Sequence, residues 1–203
     1  MISRRTFIPR SDLPLAAARP GSGAAGARSP KEPEAAAKPD VIAAQGPDAI
    51  AMTLTVNGIA RIFEAEPRVT LAEALRGPLA LTGTKIACNR GTCSSCTVWL
   101  DGTPIVSCMI LAVDVGNRAV TTIEGLIRDG KLHPVQAAFI GHDAIQCGFC
   151  TPGMVMSCAA LLDRDPRPTR DAVLAAISGH LCRCGTYPHV VAATLAASEE
   201  AKS

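Results

Sequence analysis

Apolar and polar side chains alternate from residue 52. Met52, Leu54 and Val56 are separated by Thr53 and Thr55, and after Asn57-Gly58 the run Ile59 to Phe63 returns. A period of two is that of a strand with one buried face. Asn-Gly between two such runs signals a two-residue turn, so the pattern predicts a hairpin. Val69 to Arg76 reads instead as a short helix, with Thr70 placed to cap it. Thr97 to Leu100, the turn Asp101-Gly102 and Thr103 to Ser107 repeat the hairpin pattern. Two hairpins around one helix predict a small β-grasp domain over residues 51 to 120.

Beyond Thr121 the periodicity is helical. His133 to His142 forms one segment, and Thr151 to Leu162 another, with Thr151 as cap and Pro152 in the first turn. Thr169 caps a third, Arg170 to Ser178, which Gly179 ends, and Val190 to Ala197 gives a fourth. The expected class is therefore α+β: a β-grasp domain followed by an all-α helical bundle over residues 121 to 200. Residues 1 to 50 show neither period and hold seven of the fifteen prolines, which reads as a leader or disordered arm. Ser3-Arg4-Arg5-Thr6-Phe7-Ile8 resembles the twin-arginine export motif, and Ala25-Gly26-Ala27 could serve as a cleavage site. Pro9, Arg10, Asp12, Pro14 and Arg19 interrupt the apolar stretch such a signal needs. Two readings of the arm stand, a periplasmic export signal and an incidental basic N-terminus on a cytoplasmic protein.

Composition changes the picture at one point. The 203 residues are 48% hydrophobic with mean hydropathy +0.23, enough for one large or two small packed domains. A net charge of +2 and 3% aromatics exclude a nucleic-acid binder, which needs a basic excess and stacking residues. No stretch approaches the roughly 18 apolar residues of a transmembrane helix. The anomaly is nine cysteines, of which eight fall into two groups of four: Cys88, Cys93, Cys96 and Cys108, then Cys147, Cys150, Cys182 and Cys184.

The first group follows CxxxxCxxC, with eleven residues between Cys96 and Cys108, the plant-type 2Fe-2S spacing. A loop that wraps an anionic cluster must turn its amides inward, and small residues such as Gly91, Thr92, Ser94 and Ser95 let the backbone approach. The alternative is structural zinc or disulfides, although zinc ligands more often come as two short knuckles. The second group is CxxC, thirty-one residues, then CxC. Each of its pairs precedes a predicted helix, whose N-terminal amides favour a thiolate-ligated anion, and on spacing alone both iron–sulfur and zinc remain open. Cys158 lies inside the helix begun by Pro152 and reads as a core residue, Trp99 as a hairpin packing residue. The four histidines have no metal-site spacing.

Three stretches carry a resemblance. Cys88-Asn89-Arg90-Gly91-Thr92-Cys93-Ser94-Ser95-Cys96-Thr97, Gln146-Cys147-Gly148-Phe149-Cys150-Thr151-Pro152-Gly153 and Cys182-Arg183-Cys184-Gly185-Thr186-Tyr187 resemble the cluster-binding signatures of the small 2Fe-2S subunits of the xanthine dehydrogenase and aldehyde oxidoreductase, or molybdenum hydroxylase, family. Thr122-Ile123-Glu124-Gly125-Leu126 and His133-Pro134-Val135-Gln136 match as well, so the likeness runs from about Thr53 to Ala197. Ser94 and Ser95 depart from it, standing where the family usually has Gly and Ala.

The resemblance implies two 2Fe-2S clusters, the one held by Cys88, Cys93, Cys96 and Cys108 being distal and the one held by Cys147, Cys150, Cys182 and Cys184 lying beside molybdopterin. It implies that Gln146 hydrogen-bonds the pterin and that Cys184 both ligates iron and touches the cofactor through its backbone. It implies a large molybdopterin-binding subunit that hydroxylates an aldehyde or N-heterocycle, and a FAD subunit or cytochrome c as acceptor. The chain itself shows no catalytic triad, paired-carboxylate motif, phosphate-cradling loop or FAD motif, so the expected role is electron relay. The rival classes are a zinc-stabilised or disulfide-stapled binding module without a redox role, and a free-standing ferredoxin, which would not need the helical half.

Overall fold

Asn57 and Gly58 turn the chain with φ of 53° and 77°. Positive φ at both central positions is what Asn-Gly tolerates best, and it gives the turn whose twist matches two antiparallel strands. These are β1 (Ile50–Val56) and β2 (Ile59–Ala65), in register from Ile50 opposite Ala65 to Val56 opposite Ile59. The computed structural model describes residues 46–200, so the leader reading and the arginine pair lie outside the described residues. Asp101 and Gly102, at φ of 50° and 75°, repeat the device between β3 (Thr97–Leu100) and β4 (Thr103–Val106). Both hairpins lie where the alternation predicts them.

A fifth strand, β5 (Ala119–Thr121), was not legible in the pattern. It is three residues long, with only Val120 buried, too short to show a period. It nevertheless closes the sheet: the order is β2-β1-β5-β3-β4, with β5 parallel to β1 and antiparallel to β3. α1 (Leu71–Arg76) packs on one face. Thr70 caps it in a full capping box with Glu73, satisfying two otherwise free amides and holding the Glu73 carboxyl below its ordinary range. Leu71 and Leu75 meet Leu54, Val56, Val98 and Val120 in one apolar core.

The second half contains α2 (Pro134–Gly141), α3 (Thr151–Arg164), α4 (Arg170–Ile177) and α5 (Tyr187–Glu200). The overall architecture is thus a mixed sheet with one helix, followed by a helical region. His133 caps α2 through its ring nitrogen, and Thr169 caps α4 as expected. Two boundaries differ from expectation. Thr151 is the first helical residue of α3 and Cys150 takes the cap position without a side-chain bond; α5 begins at Tyr187, not Val190. Among the described residues no helix is long and apolar enough to cross a membrane.

The link between the halves explains the Thr122-Ile123-Glu124-Gly125-Leu126 stretch. Thr122 N–H donates to Asn57 Oδ1 at 2.9 Å, Asn57 Nδ2 donates back to Thr122 Oγ1 at 3.0 Å, and Gly83 N–H donates to Glu124 at 2.8 Å. Trp99 packs with the helical core rather than within its hairpin, and its indole N–H donates to the Met156 carbonyl at 2.8 Å. Cys158 is fully buried in that core, where burial pushes its thiol up to about 11. Trp99→Phe should lower stability by about 1–3 kcal/mol, because it removes a buried hydrogen bond and part of the ring. Urea denaturation of the variant beside the parent measures it, and an unchanged midpoint would show the bond to be dispensable.

Candidate metal centres

The first cysteine group sits on the irregular chain between α1 and β3, with Cys108 delivered by the 3-10 turn after β4. Cys93, Cys96 and Cys108 are buried and Cys88 is half-buried. Hydrogen bonding and Coulombic proximity tie the four sulfurs together: the Cys88 and Cys93 side chains are within hydrogen-bonding reach, and Cys108 faces both Cys96 and Cys88. The backbone amides turn in on them as the small residues allow. Gly91 N–H donates to Cys108 Sγ at 3.3 Å and Arg90 N–H to Cys88 Sγ at 3.4 Å. These donors favour thiolate. The Thr92 hydroxyl, then the Arg90 amide, pulls Cys88 down to about 6, whereas burial pushes Cys108 up to about 11 against the pull of Gly91.

The second group is assembled from two loops before helices. Cys147, Cys150 and Cys182 line one cleft of about 400 Å³ with Phe149, Leu181 and Arg183. Cys150 and Cys182 are hydrogen-bonding neighbours, with Cys147 close enough to act on Cys150 by charge. Burial drives Cys150 up to about 12. For Cys182 burial also acts upward, but it is outweighed by the Thr186 hydroxyl and amide, the Cys150 thiol and the Gly185 amide, and the thiol ends at about 7. Cys184 follows in the same turn, half-buried and outside the cleft lining. Gln146 is exposed on the loop before Cys147.

Donor set, inward amides and depressed thiols suit an anionic thiolate-ligated cluster in both places. Among the described residues no three His, Cys, Asp or Glu side chains group as a single ion would need.

Several residues that position the cysteines carry no signal of their own in the sequence. Leu181 N–H donates to the Cys93 carbonyl at 3.2 Å, joining the two groups. The hydroxyl of Tyr187, the one tyrosine, accepts from Cys182 N–H at 2.8 Å and donates to the His180 carbonyl at 2.9 Å, fixing the turn that bears Cys182. Thr186 Oγ1 lies 3.2 Å from Cys182 Sγ. His180 is buried against Ser157, 2.7 Å from Nε2 to Oγ, and desolvation lowers its pKa to about 4, so it stays neutral. The tyrosine's uniqueness and its place in the Cys182 to Tyr187 stretch were the available hints.

Sites of this construction define a two-cluster iron–sulfur protein. Residues 54–117 match the model of the 2Fe-2S iron–sulfur cluster binding domain, and residues 122–195 that of the [2Fe-2S] binding domain. The chain is 47% identical over 150 residues, 73% of its length and 93% of the relative's, to the 6-hydroxypseudooxynicotine dehydrogenase complex subunit beta of Paenarthrobacter nicotinovorans. It is 40% identical over 176 residues, 79% of this chain and 77% of the relative, to the iron–sulfur-binding subunit of Escherichia coli K12 aldehyde oxidoreductase. The crystal structure of quinoline 2-oxidoreductase from Pseudomonas putida 86 superposes with a TM-score of 0.73 at 43% identity, over 76% of this chain and 97% of that one. The chain belongs to the small 2Fe-2S subunits of the xanthine dehydrogenase and aldehyde oxidoreductase, or molybdenum hydroxylase, family, and it is an iron–sulfur electron-transfer subunit of such an oxidoreductase.

Ser94 departs from the family pattern in residue type but not in conformation: its φ is +56°, in the left-handed region that favours glycine. A non-glycine residue there carries roughly 1–2 kcal/mol of strain. Ser94→Gly should therefore raise stability, by about 1 kcal/mol after the greater freedom of glycine in the unfolded chain is offset. Thermal denaturation checks it; a lower melting temperature would mean that the serine side chain contributes more than its backbone costs.

Proposed function

We propose that Cys88, Cys93, Cys96 and Cys108 hold a distal 2Fe-2S cluster and that Cys147, Cys150, Cys182 and Cys184 hold a second one beside a molybdopterin carried by a large partner subunit. The residue assignments rest on the two converging cysteine groups and on the matched stretches. We assign the first to a β-grasp domain, residues 51–120, and the second to a helical-bundle domain, residues 121–200. When bound, each cluster takes up and gives up one electron at a time. The chain's part is to hold the thiolates, turn amides toward sulfur and keep water away from Cys93, Cys96, Cys108 and Cys150, which sets the potentials.

The observation that carries this reading is the Leu181 N–H to Cys93 carbonyl bond at 3.2 Å. It connects a ligand of one cluster, in one step, to the neighbour of a ligand of the other. Such continuity suits a relay between two sites. The surface beside Gln146 also favours a partner. Leu132, Ile140 and Ile145 are exposed along one groove, and Phe149 is exposed three residues after Gln146, an apolar surface that a large subunit would cover. On this reading Gln146 and the Cys184 backbone meet the pterin, the substrate, an aldehyde or N-heterocycle, is hydroxylated within the partner, and a FAD subunit or cytochrome c accepts electrons beyond Cys88.

Purified protein should hold about four iron and four acid-labile sulfide per chain. It should give two distinguishable EPR signals on reduction. Cys93→Ser and Cys150→Ser should each abolish one of them, while Cys158→Ala keeps both and costs at most a few kcal/mol. Stoichiometric zinc without labile sulfide would overturn the reading, and loss of a signal in Cys158→Ala would overturn the ligand assignment.

We propose, further, that the complex is exported to the periplasm through Arg4-Arg5. A chain that receives its clusters in the cytoplasm must cross the membrane folded, which twin-arginine transport allows. Fractionation of cells making the parent beside an Arg4→Lys, Arg5→Lys double variant should find only the parent in the periplasm. A parent retained in the cytoplasm with residues 1–50 uncleaved would make the arginine pair incidental.

A further inference from the structure

We infer that Gly153 and Gly179 are positioning residues whose missing side chains let the helical half cradle the Cys93-Ser94-Ser95-Cys96 tip, and so fix the spacing between the two cluster sites. The inference rests on the iron–sulfur reading above.

Three points of the helical half touch this tip. Gly153 lies in the first turn of α3, and a Cβ placed there would stand 2.4 Å from the Ser94 carbonyl oxygen and 3.2 Å from backbone atoms of Ser95. Gly179 lies after α4, where a Cβ would stand 3.4 Å from Ser94 Oγ, an ordinary contact. Leu181 N–H donates to the Cys93 carbonyl at 3.2 Å. Gly153 follows Cys150 by three residues and Gly179 and Leu181 precede Cys182, so the segments that bear the second group's thiols are those that hold the first group's tip.

The tip cannot give way cheaply at Gly153. The Ser94 carbonyl accepts from Thr97 N–H at 3.1 Å and from Thr97 Oγ1 at 2.7 Å, and it stands between two cysteines whose sulfurs are committed to the same site. A methyl at 153 must therefore push the whole tip, with Cys93 and Cys96, away from α3. A methyl at 179 need not move anything, whereas the larger valine there would press on the Ser94 side chain. An electron passed between the sites would oxidise the second centre by one electron and reduce the first by one, with no bond or proton changing. The separation of the sites is thus the quantity that backbone positioning can alter.

The test uses the full chain in its complex, as Gly153→Ala, Gly179→Ala and Gly179→Val, with Gly141→Ala as control because a Cβ there meets no atom within 4 Å. Two readouts are taken. Hydrogen exchange of the amides of residues 93–97 reports the cradle whether or not metal is bound. The spin–spin interaction between the two reduced centres reports their separation. Gly153→Ala and Gly179→Val should raise exchange locally at 93–97 by about tenfold or more. Both should alter the spin–spin interaction at unchanged iron content, while Gly179→Ala and Gly141→Ala match the parent. If Gly153→Ala does not fold, Gly179→Val decides alone. Unaltered exchange and interaction in the folded variants, or a rise in exchange spread evenly through the molecule, would overturn the inference. Absence of paramagnetic centres in the parent would instead overturn the iron–sulfur reading.

Discussion

β3 is buried on both faces, and the rest of the structure is arranged around that constraint. All four of its residues are buried. Val98 and Leu100 face α1 and the core it forms with β1 and β5, while Trp99 faces the helical core and donates to the Met156 carbonyl. A strand covered twice needs a layer on each side. The first layer comes from the sheet half and the second from α3, so the chain cannot use one half without the other and leave Trp99 covered. This two-sided burial is why the molecule differs from a ferredoxin that ends after its sheet.

The same strand organises the cysteines. Cys96 immediately precedes it, and the hairpin it forms with β4 returns the chain to Cys108, so two cysteines of the first group lie at one end of a rigid pair. The remaining two lie on irregular chain, where positive φ at Asn89, Gly91 and Ser94 turns amides toward sulfur. Regular strand or helix would have spent those amides on its own ladder. The second group is built differently, from loops that end where α3 and α5 begin, and its sulfurs are tuned by hydroxyls, with Thr186 beside Cys182. Each group therefore holds one thiol raised by burial, Cys108 or Cys150, and one lowered by donors, Cys88 or Cys182. Metal binding demands all of them as thiolates, so a bound metal would displace the protons of the buried ones and release them to solvent.

Local chemistry was legible because it is short in range. Asn57-Gly58 admits few backbone conformations, Thr70 finds its partner three residues away in Glu73, and the spacing of Cys88, Cys93 and Cys96 is short enough to gather three thiols on one loop. What failed was local too, but weak. β5 has three residues and draws its stability from strands more than fifty residues before it and about twenty before it, so no pattern within it could announce it. The Thr151 cap was displaced by one position because Cys150 turns into the helix first, and a boundary set by a cysteine loop has no propensity signature.

The sequence by itself determined the element types in each half, the two groups of four cysteines and the odd Cys158, because turn chemistry, period and ligand spacing act over a few residues. Only the tertiary structure decided which way Trp99 points, that Leu181 meets Cys93, that Tyr187 braces the turn bearing Cys182, and that Gly153 stands against Ser94. Those contacts join residues dozens of positions apart and involve backbone carbonyls and amides, which every residue possesses. A sequence cannot mark in advance which carbonyl a distant amide will find, since that choice is made by how two packed layers settle on the shared strand.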